Sequence, residues 1–512
     1  MERKVRVRYA PSPTGPQHMG GVRTALYNYL LAKKLGGDFI LRIEDTDQNR
    51  FVPGAEQYII DSLKWCGIEP NEGIGFGDGP YAPYRQSERK DMYKQYADQL
   101  LEAGHAYIAF DTPEELEQMR ENMKAQGVPN PQYNSISRQY MKNSISLPAD
   151  EVASRIANGD GYVIRFKMPR NEEVKFHDVI RQWVSFNTAQ LDDKVLMKND
   201  GMPTYHLANV VDDYLMKISH VIRGEEWLSS APLHVLLYRA FGWENEMPAF
   251  AHLSLILKPD GNGKLSKRDG DRLGFPSFPL TWQDPETGEV STGYKERGYL
   301  PEAFINFISL LGWNPGGDIE IMSKEEMVGY FSLEKVHKAG ARFDFEKAKW
   351  FNQQYIKHIP DADLADQVMP LLVAAGYDFD KNYVTEYCRL MKDRAVFMSD
   401  FATIGYYFFE DIKEYDQDTI RKKYQSPVRE KIAAIADKMK EVSTFDSVNL
   451  EALVKTFAID NGLKTGEVMP LLRIALAGTM QGPPVYDMLQ LLGKERSVAR
   501  LKKSFAYFET VA

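Results

Sequence analysis

The chain contains 512 residues, of which 43% are hydrophobic, 26% are charged and 12% are aromatic. This composition is typical of a globular protein and excludes the disordered and fibrous classes. Because a domain usually holds about 100–200 residues, we expect three to five folded units and a multidomain enzyme.

Segments that direct a chain into a membrane are missing from the sequence. No stretch approaches the ~18 uninterrupted apolar residues that a membrane-spanning helix needs. Met1-Glu2-Arg3-Lys4 leads into a strand-like segment without the apolar region of a signal peptide. The sequence therefore predicts a cytoplasmic protein that contacts no membrane.

Charge and cysteine content limit the possible partners and sites. The net charge of −9 argues against indiscriminate binding of polyanions, although RNA affinity depends on local patches. Cys66 and Cys388 are the two cysteines, and they lie far apart in helical patterns. They can form neither a disulfide framework nor a CxxC metal site, so we interpret both as buried thiols.

The N-terminal segment has the pattern of a βαβ unit. Arg3–Ala10 alternates basic and apolar residues as a strand does, and a Pro/Gly-rich loop follows at 11–21. Apolar residues at helical spacing predict a helix over Val22–Leu35, and Asp38–Ile43 is a second strand. Such a unit implies a parallel sheet that binds its ligand at the carboxyl ends of the strands.

The rest of the first half extends this sheet across an insertion. Helices are predicted at 54–66 and 85–103, whereas short strands and charged helices alternate from about 106 to 200, as expected of an inserted domain. Strand character returns at Ile218–Arg223, and a helix is predicted near 228–241. This second βα segment would close the same nucleotide-binding fold.

From about residue 300 the pattern is almost purely helical. Residues 421–440 carry seven basic side chains against two acidic ones. This excess fits an RNA backbone, and it equally fits a solvated helix face, so both interpretations stay open. Gln283–Gly298 is rich in Gly, Thr, Glu and Asp and is predicted to be an exposed loop insertion.

The loop before the first helix has the features of a phosphate site. Free amides and the positive end of a helix dipole favour a phosphate, and His18 can donate to one of its oxygens. Gly20 and Gly21 allow close approach of backbone or adenine. The alternative is a tight turn with a capping histidine.

A second motif, Gly263–Gly270, places three cations within five residues between glycines. A mobile loop of this kind can close over polyphosphate. When ATP adenylates a carboxylate, negative charge grows on the transition state and on the leaving pyrophosphate, and positioned lysines stabilise it.

Taken together, the two motifs resemble the signatures of class I aminoacyl-tRNA synthetases. They are His18-Met19-Gly20-Gly21 and Lys264-Leu265-Ser266-Lys267-Arg268. Further motifs in order narrow the resemblance to bacterial-type glutamyl-tRNA synthetases over almost the whole chain. These run from Arg8 to Gly15, Leu41 to Asp47, Tyr84 to Arg89, Tyr205 to Asp213, Val221 to Trp227 and Leu491 to Arg496.

The resemblance implies an α/β fold with four parts. A class I Rossmann-like catalytic domain would occupy 1–105 and 205–255, interrupted by an α+β acceptor-binding domain at 106–204. A stem-contact region carrying the second motif would occupy 256–344. An all-α anticodon-binding region would occupy 345–512.

The resemblance also implies a reaction and its site residues. The enzyme would be a glutamate–tRNA ligase that activates L-glutamate with ATP and transfers it to the 3′ end of tRNA(Glu) in protein synthesis. The residues carried over to catalysis are His18, Lys264 and Lys267. Those carried over to ATP binding are Pro11, Ser12, Pro13, Thr14, Gly15, His18, Gly20, Gly21, Glu226, Trp227, Leu265, Ser266, Lys267 and Arg268. Those carried over to glutamate binding are Arg8, Ala10, Ser12, Glu44, Tyr205, Asn209 and Arg223.

Charge complementarity supports the glutamate pocket independently. Glutamate has two carboxylates and one ammonium, so its pocket needs cations and an acid. Arg8 and Arg223 can each pair with a carboxylate, and Glu44 can bind the ammonium. Which arginine takes the side-chain carboxylate stays open, and an isolated arginine could instead be a buried salt-bridge partner.

Partners and metals follow from the same resemblance. ATP with bound Mg²⁺, L-glutamate and tRNA(Glu) are the expected partners of a monomer whose activation step requires tRNA. No zinc is expected, because His105–Phe110, where some relatives place zinc-binding cysteines, has none.

One residue of the helical region carries an expected specificity. Leu390–Arg394 resembles the segment that reads the third anticodon base, so Arg394 is expected to select glutamate tRNA over glutamine tRNA. Alternatively, Arg394 caps a helix or pairs with Asp393 or Asp400.

Three other functions are weighed against this one. A truncated paralogue that modifies a tRNA base would lack the helical C-terminal region. A glutaminyl enzyme usually carries a β-barrel anticodon module. A catalytically silent tRNA-binding module would be expected to lose His18 or Lys267, and both are present.

Overall fold

A computed structural model describes residues 3–512, apart from the side chains of Lys267 and Asp271. The role expected of the Lys267 side chain therefore lies outside the described residues. The chain divides into two compact units, which are described separately. Unit 1 comprises Met1–Arg297 and Pro301–Lys347, and unit 2 comprises Gly298–Leu300 and Ala348–Ala512.

The strands all belong to unit 1. In chain order they are β1 Arg6–Tyr9, β2 Asp38–Leu41, β3 Glu72–Gly73, β4 Ala106–Ala109, β5 Val163–Phe166, β6 Glu173–Asp178, β7 Gln182–Asn187, β8 Val195–Met197, β9 His220–Gly224, β10 Ala249–Leu253, β11 Ile256–Leu257, β12 Trp282–Gln283, β13 Val290–Ser291 and β14 Ala341–Arg342.

Helices occur in both units. The α-helices are α1 Met19–Lys34, α2 Ala55–Trp65, α3 Lys90–Glu102, α4 Pro113–Ala125, α5 Ala149–Ala157, α6 Tyr205–Leu215, α7 Ala231–Ala240, α8 Lys267–Leu273, α9 Pro301–Ser309, α10 Lys324–Tyr330, α11 Phe345–His358, α12 Asp361–Ala374, α13 Lys381–Met391, α14 Asp400–Thr403, α15 Gln417–Lys423, α16 Val428–Lys431, α17 Ile435–Lys440, α18 Ser447–Asp460, α19 Thr465–Ala477, α20 Val485–Leu492 and α21 Lys494–Val511. Short 3₁₀ helices are Gln48–Arg50, Gln86–Arg89, Ser137–Tyr140, Thr188–Gln190, Glu225–Ser230, Glu244–Glu246, Leu333–Lys335, Tyr406–Phe408 and Ile432–Ala434.

The predicted βαβ unit is confirmed. β1 pairs in parallel with β2, with Arg6 opposite Asp38 and Tyr9 opposite Leu41, and β3 continues the sheet beyond β2. The predicted start of the intervening helix at Val22 is wrong, because α1 begins at Met19. Glycine has a low helix propensity, but an N-terminal cap lets the two glycines enter the first turn.

A second sheet lies beside β1 and is built from distant parts of the chain. Its order is β7-β6-β10-β9, with β9 and β10 parallel. The Ser219 N–H donates to the Arg6 carbonyl at 2.8 Å, which joins the start of β9 to β1. The predicted strand at Ile218–Arg223 is confirmed as β9, and α7 follows as the predicted helix.

The segment expected to be an inserted domain has its own sheet. β4, β5 and β8 form it in antiparallel pairs. β6 and β7 lie in the same segment, yet β6 pairs with β10. This hairpin therefore connects the segment to the sheet that carries β9.

The prediction of an exposed loop at Gln283–Gly298 is wrong in part. β12 and β13 pair antiparallel through Trp282 and Ser291. Tyr294 is fully buried, and its N–H donates to the Phe278 carbonyl. The polar residues therefore form only the tip of this hairpin, whereas the aromatic side chains of Trp282 and Tyr294 bury its base.

Unit 2 confirms the prediction of an all-α region. Its residues, 298–300 and 348–512, are all described and include no strand. One apolar cluster fills the space between its helices, with Leu472 of α19, Leu489 of α20 and Phe508 of α21 among its buried members.

The two cysteines are free and buried, as predicted, and burial raises the pKa of the Cys388 thiol to about 12. Within residues 3–512, no helix is long and apolar enough to cross a lipid bilayer.

Candidate active site

A cavity of unit 1 opens where β1, β9 and the N-terminus of α1 meet. Its volume is about 700 Å³. The lining residues are Arg8, Tyr9, Ala10, Pro11, Ser12, Thr14, His18, Gly20, Gly21, Arg23, Thr24, Glu44, Arg50, Tyr205, Asn209, Ile222, Arg223, Gly224, Glu226, Trp227, Ser254, Leu255, Ile256, Lys264, Leu265 and Ser266. Both β1 and β9 contribute residues from their carboxyl halves, where α/β folds place their ligands.

His18 caps α1 and faces this cavity. Its Nδ1 accepts a hydrogen bond from the Gly20 N–H at 3.2 Å. Burial and, secondly, the Lys264 ammonium lower the pKa of His18 to about 4. The imidazole is therefore neutral near pH 7, with its proton on Nε2. That buried Nε2 has no hydrogen-bond partner among the described residues, so it is a donor in need of an acceptor.

The two glycines after His18 have different structural roles. A Cβ on Gly21 would lie 2.7 Å from the Tyr9 hydroxyl, closer than side-chain carbons occur. A Cβ on Gly20 would meet nothing nearer than 3.7 Å. Gly21 is thus needed for α1 to pack against β1, whereas Gly20 keeps one wall of the cavity open.

A buried ion-pair network fixes Arg8. Asp213 accepts from Arg8 Nε at 3.1 Å and from Arg8 Nη2 at 3.2 Å, and it also accepts from Arg42 Nη1 at 2.8 Å. Burial alone would raise the pKa of Asp213, but the Arg8 and Arg42 guanidinium groups hold it below its ordinary value. The charge of Arg8 is therefore compensated inside the protein.

The same network orients Glu44. Its Oε1 accepts from Arg42 Nη2 at 2.8 Å and from Asn209 Nδ2 at 2.9 Å. Glu44 is 7% exposed and lines the cavity. A carboxylate held in this way can accept hydrogen bonds from a cation in the cavity.

Arg223 has a different environment from Arg8. Its Nη1 donates to the Tyr205 hydroxyl at 2.8 Å, its Nη2 to the Trp227 carbonyl at 3.3 Å, and its Nε to His252 Nε2 at 3.0 Å. None of these acceptors is a carboxylate. Arg223 is 5% exposed, and within the part of the chain that the structure describes no carboxylate forms an ion pair with this nearly buried positive charge.

The second motif forms the opposite rim. Lys264 Nζ lies 3.3 Å from Glu226 Oε1, and both side chains are about half exposed. Ser266 and Asp269 form a capping box at the start of α8. The expectation of a loop between two glycines is therefore corrected, because α8 begins at Lys267, the fifth residue of Gly263–Gly270.

Sequence comparison agrees with this geometry. The family described as tRNA synthetases class I (E and Q), catalytic domain, matches residues 4–350, and an anticodon binding domain matches residues 363–505. A glutamate–tRNA ligase of Amoebophilus asiaticus is 56% identical over 98% of both chains.

Structural comparison gives the same result. The crystal structure of a glutamate tRNA ligase from Elizabethkingia meningosepticum, in complex with its amino acid, has a TM-score of 0.94 and 50% identity. It covers 98% of this chain and 99% of its own. The glutamate–tRNA synthetase of Elizabethkingia anophelis has a TM-score of 0.91 and 51% identity, over 98% and 100% of the two chains. This chain belongs to the glutamate–tRNA ligase family.

Most residues carried over from the glutamate–tRNA ligase family meet in the cavity. All seven expected glutamate-site residues line it. Of the residues expected at ATP, Pro13, Gly15 and Arg268 do not line it, and the Lys267 side chain is outside the described residues. Pro13 and Gly15 border two smaller neighbouring cavities.

Several lining residues were not anticipated from the sequence. They are Tyr9, Arg23, Thr24, Arg50, Ile222, Gly224, Ser254, Leu255 and Ile256. Proximity to a motif could have indicated those on β1, α1 and β9. No motif indicates Ser254 to Ile256, which directly follow β10, the parallel neighbour of β9.

A second cavity lies within unit 2. It has a volume of about 540 Å³ and is lined by Arg394, Ile404, Tyr407, Arg473, Thr479, Met480, Gln481 and Gly482. Arg394 Nη1 donates to the Leu390 carbonyl at 3.3 Å, whereas Asp393 pairs with Lys357 and Asp400 accepts from backbone N–H groups. Burial and the nearby Arg394 lower the pKa of Arg473. The lining has two cations and no carboxylate.

Proposed function

We propose that the chain activates L-glutamate with ATP to give glutamyl-adenylate and transfers the glutamyl group to the 3′ end of tRNA(Glu). The observation that carries this proposal is the cavity that joins two arginines and one carboxylate to the capped N-terminus of α1. Such a cavity matches a dianionic amino acid on one side and a phosphate chain on the other.

The glutamate pocket consists of Arg8, Ala10, Ser12, Glu44, Tyr205, Asn209 and Arg223. Glu44 receives the ammonium, and the two arginines receive the carboxylates. Asp213 already compensates Arg8, whereas no carboxylate among the described side chains pairs with Arg223. A neutral side-chain amide would leave a buried guanidinium without its anion, and polar sites can reject such analogues by ~10⁴–10⁵. Glutamine is therefore excluded at the activation step.

ATP binds at the α1 side of the cavity. The neutral His18 donates its Nε2 proton to a phosphate oxygen, and the positive end of the α1 dipole adds to this attraction. Lys264 and Lys267 stabilise the charge that grows on pyrophosphate as it leaves. ATP enters as its Mg²⁺ complex, and no zinc takes part. Among the described residues, no group of three His, Cys, Asp or Glu side chains is arranged to hold a metal ion.

The reaction has two steps, and neither needs a covalent enzyme intermediate. First, an α-carboxylate oxygen of glutamate bonds to the α-phosphorus, and pyrophosphate leaves with the electron pair of the broken P–O bond. Then a terminal ribose hydroxyl of tRNA attacks the carbonyl carbon, AMP leaves, and the hydroxyl proton is released to solvent. Alignment of the reactants and charge stabilisation account for both steps.

The domain assignment follows the family. We assign 1–105 with 205–255 to catalysis, 106–204 to the tRNA acceptor end, 256–344 to the stem and 345–512 to the anticodon. The cationic cavity that contains Arg394 supports an RNA-binding role for the last part. The basic segment 421–440 supports it less, because Arg429 pairs with Glu509 and Lys440 with Asp437. The enzyme acts in the cytoplasm as a monomer, and tRNA is required for activation.

The decisive experiment is glutamate-dependent charging of total tRNA by the purified protein. Lys267→Ala should lower kcat by ~10²–10³ with a smaller effect on the glutamate KM, because this cation acts mainly on transition-state charge. Lys94→Ala, at an exposed lysine of α3, is the control. An unchanged kcat in Lys267→Ala would remove the second motif from the mechanism, and failure of the wild-type enzyme to charge tRNA would refute the function.

A further inference from the structure

Two fully buried residues that do not line the cavity are linked to Arg223 by hydrogen bonds. His252 on β10 and Asp178 at the end of β6 are both 0% exposed. His252 Nε2 accepts from Arg223 Nε at 3.0 Å, and His252 Nδ1 lies 2.6 Å from Asp178 Oδ2. The three side chains form a line across three neighbouring strands.

The chemistry of the guanidinium fixes the state of this line. An arginine Nε always carries a hydrogen, so His252 Nε2 must be the unprotonated acceptor. The imidazole proton must then lie on Nδ1 and point at the Asp178 carboxylate. The chain of hydrogen bonds therefore has one direction, from Arg223 through a neutral His252 to an ionised Asp178.

Asp178 is itself held rigidly at the end of its strand. Its Oδ1 accepts from the N–H groups of Ile180 at 3.0 Å and Arg181 at 2.8 Å. Its Oδ2 accepts from the His252 N–H at 3.1 Å as well as from the ring. Burial alone would raise the pKa of Asp178, but hydrogen bonds from His252 and the backbone hold it below its ordinary value.

The arrangement differs from the one that holds Arg8. Asp213 contacts Arg8 directly and compensates its charge. At Arg223 an uncharged ring stands between the guanidinium and Asp178. A directly bound carboxylate would compete with a substrate carboxylate for the same cation, whereas a neutral acceptor fixes the plane of Arg223 and leaves its charge available.

We propose that Asp178 and His252 are positioning residues that orient Arg223 for a carboxylate of glutamate. The inference rests on the proposed function, because it takes Arg223 as a substrate contact. Neither Asp178 nor His252 lies in one of the motifs identified from the sequence. Asp178 lies 74 positions before His252, within the segment inserted into the catalytic fold.

Kinetics of three variants test the proposal. His252→Leu removes the acceptor and should raise the glutamate KM by about 10- to 100-fold, as expected for losing a hydrogen bond to a charged group, with a smaller change in the ATP KM. His252→Gln should stay within about 5-fold of wild type, since its amide oxygen can accept from Arg223 and its NH₂ can donate to Asp178. Asp178→Asn turns an NH₂ group toward the His252 ring, and this donor favours the tautomer with the proton on Nε2. The variant should therefore raise the glutamate KM about as much as His252→Leu does.

The readout separates positioning from mere packing. The proposal would be overturned if His252→Leu and His252→Gln raised the glutamate KM equally. It would also be overturned if a variant raised the KM of glutamate and the KM of ATP equally. A glutamate KM within about 2-fold of wild type in His252→Leu would overturn it as well. If wild-type enzyme does not charge tRNA with glutamate, the proposed function fails instead.

A spectroscopic measurement keeps the test independent of variant folding. In wild-type enzyme labelled with ¹⁵N-histidine, the resonances that are lost in His252→Gln should report a neutral ring protonated on Nδ1 at pH 7. A ring protonated on Nε2, or a doubly protonated ring, would contradict the assigned hydrogen-bond direction and overturn the proposal.

Discussion

The two units of the molecule bury different kinds of side chain. Around the cavity of unit 1, the interior contains Arg8, Arg42, Asp213, Arg223 and Asp178, all less than 9% exposed. Unit 2 is filled by one apolar cluster, and its buried charge within residues 348–512 is Arg500, which donates to backbone carbonyls. The interior of unit 1 around the cavity therefore contains several buried charges, whereas the interior of unit 2 consists mainly of packed apolar side chains.

This difference shows where stability and function are in conflict. A buried ion pair seldom stabilises a fold more than a well-packed apolar group would, but removing one partner is costly. The network of unit 1 therefore makes the catalytic fold sensitive to single charge changes. The interior of unit 2 should respond to lost volume instead.

The largest expected effect comes from Asp213, the one carboxylate shared by Arg8 and Arg42. Asp213→Ala would leave the buried Arg8 guanidinium without its anion and Arg42 with Glu44 alone, which costs about 3–5 kcal/mol of unfolding free energy. Charging should fall below detection, because Arg42 also orients Glu44. Urea unfolding and tRNA charging measure the two effects. Asp437→Ala in unit 2 is the control, since Asp437 is 62% exposed and solvent-exposed ion pairs contribute little to stability.

In unit 2 the corresponding change is Leu472→Ala. Leu472 is fully buried in α19, so its truncation should cost about 2–5 kcal/mol through lost transfer energy and the cavity left behind. The glutamate KM should not change, because no residue of unit 2 lines the glutamate pocket. Urea unfolding and steady-state kinetics at a temperature where the variant is folded measure both. A raised glutamate KM would contradict the separation of roles.

The comparison also extends to pH. Burial and then the Arg223 charge lower the pKa of His234 well below its ordinary value, and Arg8, His206 and His252 act in the same direction. The His234 imidazole binds a proton near pH 6.5 in the unfolded chain but stays neutral at that pH in folded unit 1, so stability is lost as the pH falls below about 6.5. Unit 2 has one histidine, the exposed His358. Carboxylates with lowered pKa values, such as Asp213, lose their contribution only below about pH 4.

Hydrogen exchange followed by mass spectrometry measures this difference locally. Peptides from α6 and α7 should lose protection between pH 6.5 and 5, after correction for intrinsic exchange, while peptides from α19 and α21 should not. His234→Gln should flatten the dependence in α7. A parallel loss of protection in both units would show that buried histidines do not set the acid sensitivity.

The sequence predicted the parts of the site that are local. The loop before α1, β1 and the second motif each carry their chemistry in consecutive residues, and the structure brings them to one cavity. Arg42 and Asp213 lie 171 positions apart, and no periodicity indicates that they meet. The start of α1 was misplaced for a related reason. The His18 cap offsets the low helix propensity of the two glycines through its hydrogen bond with the Gly20 N–H, and the amino-acid composition does not reveal this bond.

The smallest expected effect concerns selection of tRNA by unit 2. Arg394 lies beside Arg473 in a cavity without carboxylates. A guanidinium there suits the acceptor edge of an unstacked cytosine, the third anticodon base of glutamate tRNA, and offers poor partners to the donors of guanine in glutamine tRNA. We therefore predict a discriminating enzyme, in which Arg394→Gln raises the relative kcat/KM for glutamine tRNA by about 10-fold, the effect of losing one hydrogen bond to a charged group.

The measurement uses transcripts of both tRNAs charged with labelled glutamate. Arg389→Gln is a matched control, because Arg389 is an exposed arginine of α13 that pairs with Glu386. Activation in the presence of glutamate tRNA should be nearly unchanged in both variants, since Arg394 lines the cavity of unit 2 and is not a lining residue of the cavity of unit 1. Comparable kcat/KM for the two tRNAs with wild-type enzyme would show that Arg394 does not discriminate. In that case the two arginines would bind the RNA backbone, whose charge is the same in every tRNA, and Arg394→Gln would weaken both tRNAs equally.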